Sequence, residues 1–357
     1  MTDSWSLRRP THPGAWWLWA LALAAAASHT TNPLLLGLIV AIAALVVAAR
    51  RSAAPWAVGF RWYLTVAALV VVLRVVFRML TAGSGPTVLF TLPTIELPAA
   101  AAGITLLGPV SAEALMAGFY DGLRLGTMIV CVGAASALAN PKRLLAAMPP
   151  ALYEVGTVLV VSVSVFPQLV ESVGRVRRAQ ALRRGPRTRR HQLKTVVIPV
   201  LTDALDRSLV LAASMDSRGY GRSPDVAHRR WLTSLCLLVG IGGVAIGAYG
   251  VLDVGSPTWL GIPTMVTGIA VGAVGFRLAG ARVQRTRYRP DPWRTREWLV
   301  AGCGVLAAAA VFLTSQIARF PSANPLVWPP LPLVAVVGLL IAGGPVLSAA
   351  PWRRWSR

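Results

Sequence analysis

Two arginine–glycine pairs, Arg184-Gly185 and Arg218-Gly219, stand 34 residues apart. A helix end leaves up to four backbone carbonyls without partners, and their partial negative charge favours a cation in the last turn. Glycine lets the chain reverse there without a Cβ clash. An arginine held at such an end projects a planar fork of donors that can grip a carboxylate on another protein. The chemistry on offer is recognition. For either pair taken alone, an ordinary solvated helix cap is the competing reading. Glu113, Asp121 and Arg124 form a second candidate set on one helix. Asp121 and Arg124, three apart, are expected to pair. Glu113 and Asp121 are the residues that a membrane-embedded, lipid-modifying enzyme would use. Cys131, Cys236 and Cys303 lie far apart inside apolar runs, and the four histidines are scattered, so no metal site is expected. No G-x-x-x-x-G-K-[ST] phosphate loop and no nucleophile–base constellation occur, so no cofactor and no catalysis are expected.

The elements that position the two arginines are readable. Glu171 to Arg184 has helical composition and stops at Gly185-Pro186, a C-terminal signal. A second helix fits His191 to Ser217, with Pro199 as a kink point. Along it Ile198, Leu201, Leu205, Leu209 and Ala212 recur at three- and four-residue spacing as an apolar stripe. It stops at Gly219, with Gly221 and Pro224 beyond.

Around this region the chain is too apolar for water. Of 357 residues 55% are hydrophobic and 13% charged, with a mean hydropathy of +0.61. Soluble domains carry roughly 25% charged residues, and a folded chain needs a wettable exterior. The expected fold class is an all-α polytopic membrane protein of about eight spans. Two spans precede residue 50, forming a hairpin whose signal-peptide-like start is expected to be retained. Two lie between 56 and 140, two between 231 and 276, and two after 297. Residues 81–110, broken by Gly83, Gly85, Pro86, Pro93, Pro98, Gly103 and Pro109, read as an irregular or re-entrant extracytoplasmic segment. Long cytosolic helices are inserted between the fourth and fifth spans. The domains are residues 12–140, N-terminal membrane helices; 141–230, the cytosolic helical region; and 231–352, C-terminal membrane helices.

The net charge is +22, and only Lys142 and Lys194 among the 35 basic residues are lysine. Fourteen of the 35 fall between Arg175 and Arg230. Basic loops mark the cytoplasmic side of a membrane protein. That rule puts Arg8-Arg9, Arg50-Arg51, Arg143, 175–230, 277–296 and the last arginines on one side, with both termini cytoplasmic. Nucleic-acid binding does not follow from such a charge, although a basic membrane anchor remains a third reading of 175–230.

At these residues a resemblance becomes specific. Ile198-Pro-Val-Leu-Thr-Asp-Ala-Leu-Asp-Arg207, continuing to Met215-Asp-Ser-Arg-Gly-Tyr-Gly-Arg222, resembles the second coupling segment of the transmembrane T component of energy-coupling-factor transporters. That family supplies vitamin, cobalt and nickel importer subunits. Arg175 to Gly185, with Ala179-Gln180, is similar to the first coupling segment. Asn140-Pro-Lys-Arg143, Phe166-Pro167-Gln-Leu-Val170, His12-Pro-Gly-Ala-Trp-Trp-Leu-Trp19 and Thr31-Asn-Pro-Leu-Leu35 are similar too, and the likeness covers roughly residues 12 to 250. The resemblance implies a non-catalytic scaffold in a bacterial cell (inner) membrane. Its implied partners are the lipid bilayer, two ATP-binding-cassette ATPases and a small substrate-binding membrane subunit. It implies ATPase docking through Arg184 and Arg218 within Arg183-Arg184-Gly185 and Ser217-Arg218-Gly219. The first triplet lacks the usual small residue before its arginine, so Arg183 can share or replace the role; the second has Ser217 where alanine is commonest. The apolar runs after about 254 exceed the compact form of the family.

Overall fold

The computed structural model describes residues 11–51, 59–81, 85–93, 95–96, 105–182, 189–220, 230–253, 255–281, 291–317 and 329–347. In chain order the elements are α1 (Pro13–Ser28), α2 (Pro33–Arg50), α3 (Phe60–Leu80), β1 (Val88–Thr91), β2 (Ile95–Glu96), β3 (Thr105–Leu106), β4 (Pro109–Ser111), α4 (Ala112–Leu138) and α5 (Pro141–Ala146). Then follow α6 (Tyr153–Leu182), α7 (Arg189–Ser217), α8 (Arg230–Leu252), α9 (Ile262–Gly280), α10 (Thr295–Ile317) and α11 (Leu333–Ala342). Seven helices among the described residues are long and apolar enough to cross a membrane. The chain is an all-α, multi-pass membrane protein. The spans differ in detail from the sequence expectation. α1 and α11, with 16 and 10 residues, are shorter than the ~20 a span needs. α6 is a 30-residue helix that runs through Pro167 without ending, so its apolar first half is itself of span character.

The chain divides into two units, residues 1–144 with 290–357, and residues 145–289. In the first, α1 and α2 form the centre, with α4, α10 and α11 against them. Trp19, Leu23, Leu35, Leu36, Ile39 and Val46 are fully buried there. Both helices start the same way: the side chain of His12 accepts the Gly14 N–H at 3.1 Å, and that of Asn32 accepts the Leu34 N–H at 3.0 Å. Proline follows at the first helical position in each, where no N–H is missed. These starts also hold the C-terminal helices. His12 N–H donates to the Glu297 carboxylate at 3.3 Å, Trp19 Nε1 to the Ala342 carbonyl at 3.0 Å, and Asn32 Nδ2 to the Pro330 carbonyl at 2.9 Å.

α3 packs against α4 where Gly118, Gly122 and Gly126 recur every fourth residue. A Cβ on Gly122 would sit 2.9 Å from the Val71 Cα, and one on Gly126 3.2 Å from the Ala67 carbonyl oxygen. Backbones approach this closely because the glycines remove the intervening side chains. The opposite face of α3, with Leu69, Val72, Leu73 and Phe77, is exposed. Between α3 and α4 the chain forms two short antiparallel pairs, β1 with β4 and β2 with β3. The Gly- and Pro-rich segment at 81–110 thus holds a small β-ribbon in its described part.

The expected Asp121–Arg124 pair does not form. Asp121 pairs instead with Arg78 at 3.5 Å, across the α3–α4 contact. Arg124 donates to the Ser28 carbonyl, at the C-terminal end of α1 where partial negative charge collects. At the other end of this unit Thr11 accepts from Arg50 at 3.5 Å and from Arg143 at 3.4 Å, and Arg143 pairs with Asp291. Three segments expected on one membrane side from their charge therefore share one end.

In the second unit α8 and α9 form a glycine-lined hairpin: a Cβ on Gly240 would meet the Gly272 Cα at 2.6 Å, and one on Gly243 the Gly268 Cα at 2.9 Å. The same unit holds α6 and α7.

Candidate functional site

α7 has 29 residues, about 44 Å at ~1.5 Å per residue. Its C-terminal end is closed by three backbone bonds. Tyr220 N–H donates to the Met215 carbonyl at 3.0 Å, Gly219 N–H to the Asp216 carbonyl at 2.8 Å, and Arg218 N–H to the Met215 carbonyl at 3.1 Å. The first two are the paired bonds of a Schellman cap, which satisfies carbonyls that a helix end leaves open. Gly219 supplies the left-handed residue this cap needs, with φ +74 and nothing within 4 Å of where a Cβ would lie. Glycine is required here by backbone conformation, not by space. Ser217 donates its hydroxyl to the Ser214 carbonyl at 2.9 Å, so serine fits where an alanine would.

Arg218 follows Ser217 directly. It is exposed, and among the described residues its side chain has no partner. The cap therefore presents an unengaged guanidinium at the tip of a long helix, just where the chain turns away. Arg183, Arg184 and Gly185, the corresponding tip expected after α6, lie outside the described residues.

α6 and α7 are joined as antiparallel neighbours by a polar seam. Asp203 on α7 accepts from the Ser172 hydroxyl of α6 at 2.7 Å, from Arg175 of α6 at 3.4 Å, and from Arg207, one turn along α7, at 3.1 Å. Arg207 also donates to Gln168 at 3.2 Å, and Gln180 donates to the Thr195 carbonyl. The Ser172 hydroxyl, aided by the Arg207 guanidinium, holds the Asp203 carboxyl below the usual aspartate range. Asp203 is absent from the residues singled out in the sequence, although its i,i+4 spacing to Arg207 is a usable signal. Its bonds to Ser172 and Arg175 fix the register of the two helices.

The other candidate set is dispersed. Glu113, at the start of α4, accepts the Thr87 hydroxyl and, at 3.4 Å, the Thr87 N–H. Asp121 is engaged by Arg78. No group of three or more metal-ligating side chains occurs among the described residues.

With a capped lever, an exposed arginine and a membrane-spanning body in place, comparison with known families is informative. The model of the CbiQ family, cobalt transport protein, matches residues 4–227. The chain belongs to this family. It is the family of T-type transmembrane components, so the chain is a membrane transport component of the cobalt-transporter type. Members work in complexes with ATPase components. The match takes in the capped starts of α1 and α2, the whole of α6 and α7 and the Gly219 cap, and stops before α8. The CbiQ-like part is thus followed by α8 to α11, of which α10 and α11 pack onto α1 and α2. No curated protein matches the chain.

Proposed function

We propose that this chain is the energy-coupling transmembrane scaffold of an energy-coupling-factor importer that takes up a transition-metal ion or a vitamin. Two ATP-binding-cassette ATPases dock from the cytosol, one at Arg218 and one at Arg184 with Arg183 beside it. ATP binding closes the ATPase pair, the docked tips move with it, and the Asp203 seam carries that movement between α6 and α7. The membrane helices pass it to a small substrate-binding membrane subunit, which reorients and releases its ligand inside. ATP is hydrolysed in the partners, and this chain performs no chemistry. It lies in the bacterial inner membrane with both termini in the cytoplasm.

The observation that carries the reading is the Schellman-capped end of α7 with Arg218 exposed and unengaged. A guanidinium left free at a fixed backbone position suits bidentate capture of a carboxylate on a partner. Reversing both charges, Arg184→Glu with Arg218→Glu, is expected to abolish co-purification of the ATPases and transport while the chain still reaches the membrane. Unchanged assembly and transport would reject the docking.

A further inference from the structure

Between α4 and α6 the chain passes through α5 and a short 3-10 turn at Pro150–Leu152. α5 has six residues and buries none of them. A helix this short, without a buried face, has little stability of its own. Asn140 starts it, its side chain accepting the Lys142 N–H at 3.0 Å and the Arg143 N–H at 3.4 Å. The Arg143 side chain ties it to the membrane body: the guanidinium pairs with Asp291 and donates to the Thr11 carbonyl at 3.4 Å. The two side chains of the pair are only 28 and 27% exposed, where salt and water screen a charge pair less than at the open surface.

Asp291 is itself firmly placed. Just beyond it Glu297 closes a capping box, accepting the Arg294 N–H at 3.0 Å. The same buried carboxylate takes the His12 N–H at 3.3 Å, and the Trp293 ring lies 5.5 Å from that of His12. Thr11-His12 therefore contacts both sides of the clamp. The chain leaves the first unit after residue 144 and re-enters it at 290. Arg143 and Asp291 stand at these two points, and every residue of the clamp belongs to the first unit. Arg143, Thr11 and His12 fall within the family match, whereas Asp291, Arg294 and Glu297 lie well beyond its end at 227.

We infer that the segment 291–297 is part of the coupling machinery of this chain. Asp291 is a positioning residue that holds Arg143, and with it α5, at the root of α6. Clamping exit to re-entry gives the coupling helices one fixed root. A released α5 would yield and absorb movement meant for the membrane helices. That α6 transmits movement rests on the coupling reading; the hold on α5 does not.

The test uses the full chain in nanodiscs, read by hydrogen exchange. Asp291→Asn speeds exchange at the Leu144 amide, which donates to the Asn140 carbonyl at 2.9 Å, by roughly fivefold, with the α1 amides unchanged. Arg143→Gln does the same, and the double variant is no worse than Arg143→Gln alone. Asp291→Glu, which keeps the carboxylate, retains the protection. With purified ATPases added, spin labels at exposed positions 45 and 146 keep their distance on ATP addition in the unsubstituted chain and shift in Asp291→Asn. Unchanged Leu144 exchange in Asp291→Asn would overturn the inference, as would a double variant that sums the two losses. Loss of α1 protection together with Leu144 would overturn it too, since the pair would then staple the whole unit. So would a label distance that responds to ATP identically in both chains. ATPases that fail to bind the unsubstituted chain would refute the docking and the coupling role with it, while exchange at Leu144 would still decide the hold on α5.

Discussion

Replacing Gly219 isolates the cap from the arginine it positions. The residue has φ +74, and nothing lies within 4 Å of where a Cβ would stand, so alanine meets no steric neighbour and incurs only the cost of the left-handed backbone. That cost is about 1–2 kcal/mol for an L-residue, or a factor of roughly 5 to 30 in the population of the capped end. If docking needs the capped end, ATPase affinity for Gly219→Ala falls by at most that factor. Asparagine tolerates the left-handed region, so Gly219→Asn retains most of the affinity. The assay is a titration of purified ATPase against the chain in nanodiscs, with hydrogen exchange at the Tyr220 amide as the local reading. Loss of Tyr220 protection with undiminished affinity in Gly219→Ala would show that the cap does not place Arg218. Equal damage from asparagine and alanine would refute the backbone argument itself.

Other perturbations follow from the same contacts. Gly122→Ala puts a Cβ 2.9 Å from the Val71 Cα, and the overpacking is expected to cost about 1–3 kcal/mol, read as a lower midpoint in detergent melting; Gly37→Ala, inside α2 with nothing within 4 Å, does not lower it. Asn32→Ala removes the α2 cap and the bond to Pro330, for a loss of about 1 kcal/mol or more, measured in the same melts. Trp19→Phe keeps most of the buried ring but forfeits the bond to the Ala342 carbonyl, a loss of about 1 kcal/mol that loosens α11, read as faster exchange at the α11 amides. The Asp203 carboxyl is held below its ordinary value; its contribution is therefore fully present above the aspartate range near pH 4 and is lost as pH falls through the lowered value. The distance between spin labels on α6 and α7 is expected to be narrowly distributed at neutral pH and broader in acid, and Asp203→Asn to broaden it at all pH values. A distribution unchanged in acid would remove the carboxylate from the seam.

Local signals wrote much of this structure into the sequence. The starts of α1 and α2 and the end of α1 follow from His12-Pro13, Asn32-Pro33 and the turn between them, because caps and proline act within one helical turn. The end of α7 was legible for the same reason: the glycine after Arg218 has the left-handed conformation a helix stop demands. Long-range partners were not legible. Asp121 and Arg124 are close enough in sequence to pair, yet each met a nearer group from elsewhere, Arg78 on α3 and the Ser28 carbonyl of α1. Pro167 lies inside α6 all the same, because one missing N–H does not end a helix whose neighbouring turns stay bonded. The i,i+4 glycines of α4 mark a contact whose partner, α3, only the folded chain reveals. The bonds from His12 and Trp19 to residues 285 and 323 positions away have no sequence signature at all.

The central claim is that the tip of α7 is held by an ATPase from the cytosol. Site-specific photo-crosslinking from position 218 in intact membranes, followed by mass identification of the adduct, tests it most directly. Capture of an ATP-binding-cassette subunit is expected, lost when its contacting carboxylate is neutralised. Capture of lipid alone, or labelling of position 218 by an impermeant reagent from outside the cell, would contradict it.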